Sequence, residues 1–217
     1  QFDQIGERTV GKRNFTFAVD DVFLQIERNG FRLANVFHGF GHGDARLFAD
    51  MEKAVEAGKV RALGISNFDA SDEVFRTIMD STHIKPAVLQ IECHPYAQRL
   101  EMREKVKPYG ILVECWFPLG GAMSDGALLK DSTILKIAEI HGKSTAQIIL
   151  RWHIQEGFSV IPGATNPDYI KENIEIFDFE LSDKEMASIR SLNKEKRFFN
   201  ATLEQVEKMV WNAKLDD

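Results

Sequence analysis

The sequence predicts an α/β fold of the (β/α)8 TIM-barrel type in which the first two or three β/α units are missing or unrecognisable. From Leu33 onward, short apolar runs alternate with longer segments of helical period, as in a parallel sheet with crossover helices. The apolar runs are almost uninterrupted, which is typical of strands buried on both faces. Only five such runs occur, whereas a closed barrel normally uses eight strands in roughly 250 residues.

Five apolar runs are predicted to form the parallel strands. Each is rich in β-branched or aliphatic residues and is bounded by polar residues, glycine or proline. They cover residues 33–37, 60–65, 87–91, 111–116 and 158–161.

Capping residues predict the helices that connect these strands. Gly58 and Gly142 suit the left-handed position after a helix end, and Ser182 with Glu185 forms a capping box. Ser71 and Ser144 are predicted N-caps, and Asn166 is followed by proline at the first helical position. The predicted helical segments cover residues 46–57, 71–80, 98–107, 134–140, and 203–211 in the tail, besides the helices that open after Ser144, Asn166 and Ser182.

The first 32 residues fit this pattern poorly and are left unassigned. Residues 8–19 are interpreted as a hairpin around residues 11–14, and residues 20–28 as a short helix with Val22, Phe23 and Ile26 facing inward. We expect one domain over residues 1–217. In it, residues 33–193 form the barrel part and residues 194–217 form a C-terminal tail with a helix.

Composition excludes several classes of function. The formal charge is −6, with acidic and basic residues interleaved, so no basic face is expected to bind nucleic acid. No apolar run approaches the roughly 20 residues of a membrane span, and no leader pattern opens the sequence, which together favour a cytoplasmic protein. Cys93 and Cys115 are interpreted as reduced core thiols. A zinc site using Cys93 and His94 is the alternative, but neighbours on a strand point to opposite faces, so we assign no metal ligands.

Polar groups follow the predicted strands at their carboxyl ends, where ligands bind in parallel α/β folds. They include Ser66 and Asn67 after one strand, Gln90 within the next and Trp116 at the end of a third. Amides, a hydroxyl and a large aromatic face suit a planar ring that carries a carboxamide.

Four phrases in this region resemble the successive signatures of the aldo-keto reductases. They are GKVRALGISNF at 58–68, QIECHPY at 90–96, WFPLG at 116–120 and VIPG at 160–163. The resemblance covers residues 50–193, and four linked motifs are far more specific than any one of them. It implies a bacterial-type NADP-dependent oxidoreductase that reduces small aldehydes or ketones to alcohols by hydride transfer from nicotinamide.

The resemblance also implies which residues bind the cofactor. Ser66, Asn67 and Gln90 correspond to the residues that bind the nicotinamide carboxamide, and Trp116 takes the place of the aromatic residue that stacks on the nicotinamide. The remaining implied cofactor-binding residues are Phe117, Pro118, Leu119, Gly120, Ile161, Pro162, Gly163, Ala164, Thr165, Asn166, Glu172 and Asn173.

The loop after the last strand departs from the family pattern. Many relatives place a lysine and an arginine there to bind the 2′-phosphate of NADPH, whereas this sequence has Gly163 and Tyr169. The expected cofactor is therefore NADP(H), with NAD(H) as the alternative.

The catalytic group that the resemblance implies is a tetrad of aspartate, tyrosine, lysine and histidine. His38, at the end of the strand 33–37, matches the histidine, but the aspartate, tyrosine and lysine have no recognisable counterparts upstream. Tyr96, Tyr109 and Tyr169 lie outside the place of the tetrad tyrosine. Turnover by this chain alone is thus left open, and the alternative is a non-catalytic nucleotide-binding or accessory protein of the same family. An unclosed barrel would expose strand edges and favour association into oligomers.

Overall fold

The structure is a computed structural model that describes residues 16–19, 22–26, 32–37, 45–67 and 72–200. Seven strands form one sheet, and their order in the sheet is their order in the sequence. They are β1 (Thr16–Val19), β2 (Val22–Ile26), β3 (Arg32–Phe37), β4 (Ala62–Ser66), β5 (Val88–Glu92), β6 (Leu112–Trp116) and β7 (Ser159–Val160).

Strands β3 to β7 pair in parallel and confirm the five predicted strands to within two residues at each end. The apolar runs were sufficient for this prediction because β4, β5 and β6 each bury alternate side chains against the helices. In the described part of the chain β7 pairs on one side only, so the expected association into oligomers stays a prediction.

The helix predicted for residues 20–28 is wrong. Val22–Ile26 is a strand that pairs antiparallel with β1 on one side and β3 on the other. Valine, phenylalanine and isoleucine favour strands. Hydrogen bonds to a strand on each side stabilise the extended backbone more than the weak helical period of so short a segment could stabilise a helix. The predicted turn at residues 11–14 and the catalytic candidate His38 lie outside the described residues, as does the predicted tail helix.

Seven α-helices connect or follow the strands in the described residues. Most match the predicted segments closely, and the structure confirms the capping boxes at Ser144 and Ser182 and the N-cap Asn166. The bounds are α1 (Ala45–Glu56), α2 (Asp72–Ser81), α3 (Leu100–Val106), α4 (Ser132–His141), α5 (Thr145–Gln155), α6 (Pro167–Ile174) and α7 (Asp183–Arg190).

Helix α3 differs from its prediction at both ends. Arg99 has a φ of 55°, so the helix begins at Leu100 rather than at Gln98. At the other end Pro108 does not stop the chain from turning, because it enters the first turn of a 3-10 helix, Lys107–Tyr109, where its missing N–H is not needed. Gly110, at a φ of 67°, then ends this turn.

The two faces of the sheet have different chemistry. Leu63, Ile65, Leu89, Ile91 and Val113 face the helices and are buried in the main core with side chains of α2, α4 and α5. Because side chains alternate along a strand, the intervening positions face the concave interior of the sheet. These are the positions that carry the predicted polar groups. In the described residues no helix is long and apolar enough to span a membrane.

Candidate functional site

The parallel register brings the predicted carboxamide-binding residues to one edge of the sheet. Ser66 pairs with Gln90, Gln90 pairs with Glu114, and the next pair is Glu92 with Trp116. Their side chains lie on the inner face, at the carboxyl ends of three adjacent strands.

Asn67 and Trp116 are connected across β5. The indole Nε1–H of Trp116 donates a hydrogen bond of 3.0 Å to Asn67 Oδ1. The backbone N–H of Asn67 donates to the Gln90 carbonyl at 2.9 Å. Asn67 has a φ of 59°, a left-handed conformation that asparagine tolerates better than most residues. These contacts fix the asparagine amide and the aromatic ring relative to each other.

The Ser66 hydroxyl lies beside this pair, at the end of β4. Ser66 is 1% exposed, and its Oγ has no hydrogen-bond partner among the described residues. Buried polar groups are almost always satisfied, so this hydroxyl at a strand end is a candidate partner for a ligand group that donates or accepts a hydrogen bond.

Glu114, which sequence reasoning missed, orients Gln90. Gln90 Nε2 donates to Glu114 Oε1 at 2.8 Å, and Ser159 Oγ donates to Glu114 Oε2 at 3.1 Å. Because the Gln90 NH2 group points at Glu114, the side-chain oxygen of Gln90 points away from Glu114. The signal for this residue was a single carboxylate inside the apolar run 111–116, a position expected to be buried.

The turn after β6 shapes the site beside Trp116. Phe117 has a φ of 50°, and its ring lies 4.7 Å from that of Trp116 at an angle of 69°. The N–H of Gly120 donates to the Phe117 carbonyl at 2.8 Å, with the buried Pro118 and half-buried Leu119 between them. Gly120 has a φ of 89°, and a Cβ there would lie 2.7 Å from Ser124, so no larger residue fits this turn.

The predicted nucleotide loop follows β7 at the same edge of the sheet. Ile161 N–H continues the ladder to the Cys115 carbonyl at 3.1 Å, and the Asn166 side chain accepts from Asp168 N at 2.9 Å to cap α6. Apart from Gly163 itself and its two chain neighbours, no described residue has an atom within 4 Å of a Cβ built on Gly163. Among the other residues predicted to bind the cofactor here, Thr165 is exposed to solvent. The half-buried ones are Pro162, Ala164, Glu172 and Asn173.

Glu92 connects the inner face to the tail, a contact that the sequence did not predict. Its carboxylate accepts hydrogen bonds from the backbone N–H groups of Phe198 at 2.6 Å and Phe199 at 3.2 Å. The Phe199 ring lies 5.6 Å from the Trp116 ring at an angle of 79°. The start of the tail therefore lies at the mouth of the site.

Cys93 does not share a site with its neighbour His94. The sulfurs of Cys93 and Cys115 and a ring nitrogen of His153 lie within 4.8 Å of one another on the helix side of the sheet. Burial lowers the pKa of His153 to about 4 and raises that of the Cys115 thiol well above its ordinary range. His153 and Cys115 are thus kept neutral in this part of the core, while His94 Nε2 lies 3.2 Å from Glu92 Oε1 on the inner face.

The chain's three tyrosines have other surroundings than the inner-face residues. Tyr96 donates its hydroxyl to Asp131 Oδ2 at 2.7 Å, and burial together with this carboxylate raises its pKa to about 12. Tyr109 packs edge-on against Phe75 at 6.0 Å and Tyr169 is exposed on α6. A pKa of about 12 makes Tyr96 a poorer acid than an ordinary tyrosine.

Comparisons with known proteins identify the family to which the chain belongs. A family model described as the aldo/keto reductase family matches residues 19–194. An aldo-keto reductase of Mycobacterium sp. (strain KMS) is 46% identical over 153 residues, which are 69% of this chain and 53% of that protein. The chain spans about half the length of the curated relatives it matches.

Solved structures match at the level of the fold. MGS-M4, an aldo-keto reductase from a Medee basin deep-sea metagenome library, gives a TM-score of 0.72 at 35% identity over 77% of this chain and 61% of that one. A mutant of Gox0644 in complex with NADPH gives a TM-score of 0.67 at 35% identity, over 74% of this chain and 57% of that one.

Proposed function

Since this chain belongs to the aldo/keto reductase family, we propose that it binds a nicotinamide nucleotide at the carboxyl ends of β4 to β7 and reduces small aldehydes or ketones. The observation that carries the proposal is the buried hydroxyl of Ser66, which has no partner in the described part of the chain and lies beside the Asn67 amide and the Trp116 ring. A carboxamide has both a donor and an acceptor to offer such a hydroxyl.

Each residue has a role that its position supports. Ser66, Asn67 and Gln90 bind the carboxamide, and Gln90 does so with the amide orientation that Glu114 sets. Trp116 stacks on the nicotinamide, and the turn Phe117 to Gly120 closes the site beside it. Residues 161–166, with Glu172 and Asn173, hold the rest of the nucleotide.

The choice between the two nucleotides depends on the 2′-phosphate. The Gox0644 mutant is in complex with NADPH, and we propose NADP(H) for this chain as well. However, Gly163 and Tyr169 offer no positive charge at the places where many relatives carry one. NAD(H) is therefore tested beside it.

The nucleotide supplies the hydride when it is bound, and the chain's own residues bind and orient the ring. His38 is proposed to take part in proton transfer to the carbonyl oxygen, by analogy with the family's tetrad. A second candidate function, nucleotide binding without turnover, is favoured by the tyrosines, because Tyr96 donates to Asp131 and has a raised pKa.

The test is to titrate the chain with NADPH and NADH by calorimetry and then to assay carbonyl reduction. Binding that Ser66→Ala weakens and that Ser188→Ala leaves unchanged supports the site, since Ser188 lies on α7, where its hydroxyl donates to the Lys184 carbonyl. Binding without reduction would leave only the second function. If neither nucleotide binds, both functions are wrong. With turnover established, His38→Ala should reduce it and spare nucleotide affinity.

A further inference from the structure

We propose that Glu92 is a positioning residue that holds Phe199 against Trp116 and so builds an aromatic wall over the bound nicotinamide. The inference rests on the proposed function, because the wall has this role only if Trp116 stacks on a nucleotide. Four observations lead to it: the burial of Glu92, its bonds to the tail, the ring contacts of Phe198 and Phe199, and the independent attachment of the preceding tail residues.

Glu92 is a carboxylate buried where its strand ends. It is 1% exposed and pairs in register with Trp116. Its Oε1 accepts from the Phe198 N–H at 2.6 Å, and both of its oxygens lie 3.2 Å from the Phe199 nitrogen. Hydrogen bonds to a charged acceptor are roughly twice as strong as neutral ones, so this carboxylate is a firm anchor for the tail backbone.

The carboxylate stays charged despite its burial. Burial, the largest influence, raises the pKa of Glu92, but the hydrogen bonds from His94 and from the two tail N–H groups outweigh it and leave the pKa below its ordinary value. A buried charge without partners would be costly. The same hydrogen bonds therefore stabilise the Glu92 charge and hold the backbone of residues 198 and 199 in place.

The two tail rings face different sides of this anchor. The Phe198 ring packs on His94 with centroids 4.7 Å apart, and its Cε2 lies 3.1 Å from the place of a Cβ on Gly120. The Phe199 ring meets Trp116 edge-on at 5.6 Å. The Phe198 ring thus packs on His94 and near Gly120, whereas the Phe199 ring contacts Trp116, the ring proposed to stack on the nicotinamide.

The tail before this anchor is held by other groups. The N–H groups of Lys194 and Lys196 donate to the Tyr96 carbonyl at 2.9 and 3.1 Å, and Asn193 Oδ1 accepts from Gln98 N at 3.1 Å. Removal of the Glu92 charge should therefore loosen the backbone of residues 198 and 199, and with it the Phe199 ring, and leave the preceding tail in place. The effect expected of a Glu92 variant is local to the mouth of the site.

The experiment follows NADPH release from the full chain by stopped flow, with Trp116 fluorescence as the signal and Trp116→Phe to identify it. Glu92→Gln and Phe199→Ala should each speed release about two- to tenfold, the range expected for loss of one edge-on aromatic contact. The double variant should be no faster than the faster single variant, because both changes remove the same contact. Phe199→Tyr should restore slow release, and Glu195→Gln, an exposed change in the same tail, should have no effect.

The proposal would be overturned if Glu92→Gln and Phe199→Ala release NADPH at the native rate. It would also be overturned if the two single effects combine in the double variant to give faster release than either alone. If Glu92→Gln fails to fold, Phe199→Ala and Phe199→Tyr still test the aromatic contact on which the proposal depends, and native release in Phe199→Ala would overturn the proposal by itself. Absence of NADPH binding to the native chain would refute the proposed function instead. In that case the Trp116 fluorescence of the nucleotide-free chain tests the Phe199–Trp116 contact alone. Glu92→Gln and Phe199→Ala should shift the emission maximum by the same amount. Unequal shifts, or none, would refute the positioning role.

Discussion

The indole nitrogen of Trp116 and the side-chain oxygen of Asn67 lie 3.0 Å apart, so one hydrogen bond joins the ends of β6 and β4 across β5. The aromatic ring is consequently fixed before any ligand arrives. A pre-organised ring loses little conformational freedom on binding, which favours stacking.

Trp116→Ala should weaken nucleotide binding by about 1–3 kcal/mol, the range for loss of a stacked aromatic ring. Trp116→Phe should lose less, because a ring face remains while the hydrogen bond to Asn67 is lost. Calorimetric dissociation constants check both values, and equal affinity in native and Trp116→Ala chains would refute the stacking role.

Ser66→Ala should separate binding from stability. The hydroxyl has no partner among the residues that the structure describes, so its removal should leave the free energy of unfolding almost unchanged while nucleotide affinity falls by about 0.5–1.5 kcal/mol. Thr82→Val is the matched control, because the buried Thr82 hydroxyl donates to the Ile78 carbonyl at 2.8 Å. That control should lose stability and retain affinity; the same pattern in Ser66→Ala would mean that Ser66 is structural.

Gly163→Lys should shift the preference toward NADPH. The position has room for a side chain, since no described residue beyond its two chain neighbours has an atom within 4 Å of its Cβ, and an added ammonium can pair with a 2′-phosphate. The gain for NADPH over NADH should be roughly 0.5–1 kcal/mol, as for an exposed ion pair, and should shrink at high salt. Gly163→Gln keeps a polar side chain without the charge, so an equal gain in that variant would contradict the electrostatic explanation.

Acid should destabilise the fold through His153. Burial lowers its pKa to about 4 in the folded chain, against 6.5 as the ordinary value, so between these pH values the unfolded chain binds a proton that the folded chain does not. The free energy of unfolding should therefore fall as the pH drops from 6.5 toward 4, by an amount on the order of 3 kcal/mol from this group. Denaturant unfolding at several pH values checks the slope, and His153→Gln should flatten it; an unchanged slope would show that other groups cause the acid sensitivity.

The parts of the fold that the sequence predicted are those set by local patterns. The caps Ser144, Asn166 and Ser182 were correct because a cap depends on residues two or three positions away. The parallel strands were correct because their apolar runs report burial directly. The carboxamide-binding residues could be proposed because linked motifs preserve both residue type and spacing.

The parts that were missed depend on partners distant in the sequence. Strand β2 was taken for a helix because its pairing with β1 and β3 is invisible in the segment itself. The bond between Glu92 and Phe199 spans 107 positions, and no local pattern marks either residue for the other. Glu114 was passed over for the same reason, since its partners Gln90 and Ser159 belong to different strands.

The strands lie in the sheet in the order in which they occur in the sequence, so the site can assemble while the chain is being synthesised. Each strand after β1 pairs with the strand made immediately before it. Chains leave the ribosome amino end first, and contacts between successive segments form early. Ser66, Gln90 and Trp116 can thus be placed side by side while the carboxyl-terminal residues are still being translated, and Phe199 joins a pocket that already exists.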